Sequence, residues 1–107
     1  MNPTELKELA EWSAEFLGLL KIEDADGWEL PWNNHEWLIV PNNFFGGPFA
    51  PILMDLGKRE MEKREMNMDY CFRKGTHSVS FMCGPVTHDT NEYIAFWSAV
   101  MQAIKEE

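Results

Sequence analysis

With 107 residues, 45% of them hydrophobic and five Trp, the chain holds enough apolar material for one folded domain and too much for disorder. The net charge is −9, and residues 1–36 carry nine acids against Lys7 and Lys21. That balance excludes the basic footprint of a direct DNA or RNA binder. No uninterrupted apolar run reaches the roughly 18 residues of a membrane span, and the acidic start MNPTELKELAEW lacks the basic leader of a signal peptide. A cytoplasmic protein that does not enter the membrane is expected.

Residues 2 to about 17 read as an amphipathic helix. Asn2 caps it, Pro3 suits its first position, and Glu5 completes a capping box. Leu6, Leu9, Ala10, Ser13, Phe16, Leu17 and Leu20 form the apolar stripe, with Glu8, Glu11 and Glu15 opposite. Trp12 and Leu19 fall between the two faces and are read as widening the stripe. Gly18 ends the helix. The acidic turn 21–27 lacks the further ligands and the twelfth-position Glu of a calcium loop, so a solvated loop is expected.

Residues 28–49 concentrate aromatics: Trp28, Trp32, Trp37, Phe44, Phe45 and Phe49. Glu36 to Val40 reads as a strand and Trp28 to Trp32 as a shorter extended piece. Trp37 is expected in the core. Phe44 and Phe45, beside Gly46-Gly47, are expected in a surface loop, where aromatics often anchor partners. A second helix follows from residue 51 to about 65. Ile52, Leu53 and Leu56 share a face that Arg59, Glu60 and Lys63 then interrupt. The helix is therefore expected either to break near Gly57 or to project its second half into water. Glu60 and Arg64 have helix-pair spacing.

Residues 66–83, MNMDYCFRKGTHSVSFMC, read as a β-hairpin closed at Lys74-Gly75. Met68, Tyr70 and Phe72 alternate with polar residues, as do Val79 and Phe81 after the turn. Matching the apolar faces pairs Arg73 with Thr76, Phe72 with His77, Tyr70 with Val79 and Met68 with Phe81. This register puts Cys71 and Cys83 on opposite faces, so free thiols are expected. It also separates Cys71 from His77 and Cys83, so no metal site is expected among them and His88. Residues 84–89 read as a turn, with Asp89 and Glu92 as a capping pattern. A third helix from about 90 to 105 carries Tyr93, Ile94, Trp97, Val100, Met101 and Ile104 on one face, flanked by Phe96 and Ala103.

Neither thiol has a local signature of activation, carboxylate pairs in so acidic a chain are unspecific, and Gly46-Gly47-Pro48 lacks the Lys and Ser/Thr of a phosphate loop. No enzymatic role and no cofactor are expected.

The order of three stretches, ELAEWSAEFLGL, FAPILMDLGKREM and NEYIAFWSAVMQAIKE, resembles the small ABA-sandwich domain proteins encoded by bacteriophages and prophages. The resemblance implies an N-terminal helix ending at a Gly, an aromatic stretch, a middle helix, a hairpin and a C-terminal helix, with the sheet between helical layers. It carries no catalytic residues. The chain departs from the pattern in its longer 28–49 segment and in the run KREMEKRE.

The expected fold is α+β, three helices on a small, mainly antiparallel sheet of three to four strands. The expected function is that of a phage or prophage accessory protein that binds a host protein. Its sharp form is an anti-CRISPR-like inhibitor of a host defence, or of a factor that handles nucleic acid. Glu8, Glu11, Glu15, Phe44 and Phe45 are its candidate contacts, with a basic partner surface favoured. The alternative is a ligand-sequestering protein in which Trp28 and Trp32 stack on a small molecule or nucleotide while Asn42 and Asn43 read its edges. A C2 homodimer through the hairpin edge or an aromatic patch is compatible with either.

Overall fold

The computed structural model describes residues 2–21, 27–29, 40–41, 44–82 and 84–106. Helix α1 spans Pro3–Phe16 and starts at the expected cap. The Glu5 amide donates to Asn2 Oδ1 at 2.8 Å, and Asn2 Nδ2 donates to Glu5 Oε1 at 2.8 Å. At its end Gly18 takes φ +77°, the Leu19 amide reaches the Ala14 carbonyl and the Gly18 amide reaches that of Glu15. This pair of bonds is a Schellman closure, and it satisfies carbonyls the helix leaves open. It also turns Leu19 into the core, where it is buried, while Trp12 is half-buried against the same cluster.

Three short antiparallel strands follow, β1 (Leu20–Lys21), β2 (Gly27–Glu29) and β3 (Val40–Pro41), in the order β1-β2-β3. The extended piece expected from Trp28 is described as far as Glu29. Of the strand expected at Glu36 to Val40, only Val40 lies within the described residues.

Helix α2 spans Ala50–Lys63 without a break at Gly57. Its buried stripe is Ala50, Leu53, Met54, Gly57 and Met61, a helical spacing in which glycine is a member. Ile52, expected inside, is 48% exposed. The apolar residues alone give an interrupted stripe because the interior position at its middle is a glycine and the apolar Ile52 faces water. The exposed side carries Arg59–Asp55 at 3.1 Å, Lys63–Glu60 at 3.7 Å and Arg64–Glu60 at 3.9 Å, weak pairs in water. A second Schellman closure ends α2, with Glu65 at φ +58° in the position usually held by glycine.

Strands β4 (Met68–Arg73) and β5 (Thr76–Phe81) form the hairpin in the expected register, from Met68 opposite Phe81 to Arg73 opposite Thr76. The segment expected as a turn at 84–89 instead contains a strand, β6 (Thr87–Asp89), antiparallel to β5. Helix α3 spans Glu92–Lys105, and its cap is Asn91 rather than Asp89. Asn91 Oδ1 accepts from the Tyr93 and Ile94 amides, while Asp89 Oδ1 accepts from the Asn91 amide and shapes the turn before it.

The three helices and the antiparallel sheet β4-β5-β6 make an α+β fold organised around α3. α3 lies on β5 and β6 and also packs against α1 and α2. Phe96 meets Phe81 of the sheet at 6.0 Å, while Trp97 meets Phe16 at 6.4 Å and Phe44 at 5.6 Å. Being covered from several directions moves the centre of burial on α3. Ala95, Phe96, Trp97, Ala99 and Val100 are buried, whereas Tyr93, Ile94, Met101 and Ile104 are only partly so. Thr87 ties β6 to the helix by donating to the Ala95 carbonyl at 2.5 Å.

Candidate functional site

The candidate contacts separate into two groups once folded. Glu8, Glu11 and Glu15 lie on the outer side of α1, positioned by the burial of Leu9, Ala10, Ser13 and Ala14 behind them. Ser13 fits this apolar face because its hydroxyl donates to the Leu9 carbonyl at 2.7 Å. Glu8 and Glu15 are exposed and Glu11 is half-exposed. Among the described residues none of the three is held in an ion pair. The α1 face therefore presents negative charge along roughly 10 Å of helix.

Phe44 and Phe45 are not a surface loop. They are 1% and 7% exposed, meet each other edge-on at 5.3 Å, and belong to the cluster around Trp97. Asn91 holds this turn in place, its Nδ2 donating to the Phe45 carbonyl at 2.8 Å. The glycines that suggested a surface loop let the chain turn tightly into α2, with Gly47 at φ +71°. Trp28, the first ring of the alternative ligand site, is also buried. Trp32, Asn42 and Asn43 lie outside the described residues.

Among the described residues the exposed rings are on the hairpin, where the sequence pattern predicts only a sheet face. Tyr70 is 45% and Phe72 57% exposed. The hydroxyl of Tyr70 is hydrogen-bonded to His77 Nδ1 at 2.6 Å, and the Phe72 ring lies 4.6 Å from the His77 ring. α3 lies over β5 and β6, where it buries Val79 and Phe81, and leaves Tyr70 and Phe72 on the outer strand β4 open. The apolar alternation is the same on both strands of the hairpin, so it does not show which of them the helix covers.

The opposite face of the sheet is polar. Cys71, Ser78 and His88 stand in one row across β4, β5 and β6. Cys71 is a free, exposed thiol; Cys83 lies outside the described residues. Ser78 Oγ and His88 Nδ1 are 2.7 Å apart. A nucleophilic mechanism also needs a group that orients the histidine and donors for an oxyanion. Among the described residues no carboxylate is hydrogen-bonded to His88, and no cluster of three or more His, Cys, Asp or Glu is placed to hold a metal ion. No described helix is long and apolar enough to cross a membrane.

An open groove of about 330 Å³ runs between Met66, Phe81, Ala99 and Ala103, with Arg64, Glu65 and Glu106 among its lining. Its rim has both signs of charge and no convergent polar set. At the start of α3, burial raises the Tyr93 hydroxyl above its ordinary pKa of 10.0, and the neighbouring Glu92 carboxylate adds to the rise.

No protein-family model, no curated protein and no solved structure matches this chain.

Proposed function

We propose that the protein acts by binding another protein, through the acidic face of α1, and not by catalysis. The observation that carries this reading is the outward-facing row of exposed Glu8, half-exposed Glu11 and exposed Glu15, unneutralised among the described residues and fixed on a helix whose other side is buried. A rigid negative row suits a partner with a basic surface, because charge complementarity selects the partner and speeds encounter. Proteins that handle nucleic acid carry such surfaces. This fits the phage or prophage accessory role suggested by the resemblance of the three helical stretches. In that role the chain works in the host cytoplasm and blocks a defence or nucleic-acid-handling factor by occupying its basic site.

The test is a triple charge reversal, Glu8→Lys, Glu11→Lys and Glu15→Lys, on positions whose side chains face outward. The variant keeps its fold by circular dichroism. It loses the partner that the unaltered chain retains from the natural host, and the unaltered complex weakens as salt rises. Retention of the partner by the reversed variant at the same salt overturns the reading.

A further inference from the structure

We propose that β4 pairs antiparallel with β4 of a second copy of the chain, about a twofold axis at Cys71. The result would join two three-stranded sheets into one of six strands.

In the sheet order β4-β5-β6, no described strand pairs with the outer side of β4. Natural edges of this kind are usually guarded by a proline, an inward charge or a bulge. β4 has none of these: its six residues MDYCFR pair with β5 without interruption, and its two charges lie with Cys71 on the face opposite α3. The turn determines which backbone groups are left over. The Arg73 carbonyl and Thr76 amide close a two-residue loop, so Arg73, Cys71 and Asp69 direct their backbone groups to β5. Those of Tyr70 and Phe72 then point outward and await a partner strand.

Side-chain chemistry chooses the register. With the axis at Cys71, Asp69 faces Arg73 of the second copy, Tyr70 faces its Phe72, and the two Cys71 residues face each other. Each exposed ring meets a ring on one side of the sheet, and each charge meets its opposite on the other. Asp69 and Arg73 are exposed and, among the described residues, in no ion pair. Moving the axis to Asp69 or to Arg73 sets like charges against each other. Moving it to Tyr70 or Phe72 removes the matched charge pairs. At the Cys71 register the two thiols occupy a non-hydrogen-bonded pair, where Cα atoms stand about 4.5 Å apart, within reach of a disulfide.

The experiment uses the full chain with Cys83→Ser, so that Cys71 is its only thiol. Sedimentation shows a concentration-dependent dimer, and oxidation by copper phenanthroline links it through Cys71. Asp69→Arg or Arg73→Asp alone weakens the dimer about tenfold, since each change sets two repulsive pairs at the interface. An equimolar mixture of the two variants dimerises again, because every charge then has an opposite partner. A monomer at all concentrations overturns the proposal and leaves the edge to a strand of some other protein. A dimer undiminished by Asp69→Arg, or a mixture that stays monomeric, overturns it as well. The Glu8, Glu11, Glu15 reversal leaves dimerisation unchanged, so this proposal and the α1 reading stand or fall separately.

Discussion

A methyl group added at Gly57 would stand 2.7 Å from Trp97 Cη2 and 2.9 Å from Phe96 Cε1. Both rings are fully buried and cannot yield. In an exposed helix, glycine to alanine gains about 1 kcal/mol of helix propensity. Here overpacking is larger, and Gly57→Ala is expected to cost about 2 kcal/mol net in urea denaturation. Glu65 is the reverse case. It holds φ +58° at the end of α2 with its side chain exposed, so Glu65→Gly removes a backbone penalty and no packing. It is expected to raise stability by about 0.5–1 kcal/mol, read as a higher urea midpoint with an unchanged slope. Neither role was legible in the chain. A glycine in a helix looks like a break until the helix packed on it is seen, and Glu65 becomes a closure only because Met66 folds back to the Met61 carbonyl.

The elements were legible to the extent that their signals are local. α1 was readable at both ends because Asn2, Pro3 and Glu5 act within one turn and Gly18 acts within the next. The hairpin was readable to the residue because side chains alternate with a period of two, and a slip of one residue would have turned Tyr70 and Val79 to opposite faces. Its turn is the less regular part. Lys74 has φ +52° and Gly75 φ +76°, both in the left-handed region, where asparagine is better suited than lysine to the first position. Lys74→Asn is expected to stabilise the chain by about 0.5 kcal/mol and raise its melting temperature. β6 was missed because Thr87-His88-Asp89 carries no apolar alternation. It is a strand only because β5 offers it a ladder and α3 accepts the Thr87 hydroxyl. The cap of α3 was misplaced by two residues for a related reason. Asp89 and Asn91 both suit a cap, and Asp89 is used to bend the chain one step earlier.

At the scale of the whole molecule, the core is assembled around Trp97. Its ring touches residues of α1, the 44–45 turn and α3 itself, and fills the space beside Gly57. Trp97→Ala is expected to cost about 3–5 kcal/mol in equilibrium unfolding. Trp97→Phe is expected to cost about 1 kcal/mol, well under half as much. It removes an indole N–H that is buried without a hydrogen-bond partner among the described residues, and that relief offsets part of the lost volume. The sequence by itself determined the helices, the hairpin register, the α+β class and the placement of negative charge along α1. Each depends on periodicity or on contacts within a few residues. Only the tertiary structure decided which aromatics are surface. Phe44 and Phe45 are inside because Asn91, 46 residues away from Phe45, holds their turn against α3. Tyr70 and Phe72 are outside because α3 covers β5 and β6 and leaves the edge strand β4 bare. Burial depends on what arrives from elsewhere in the chain, and hydrophobic patterning records only that a residue suits burial.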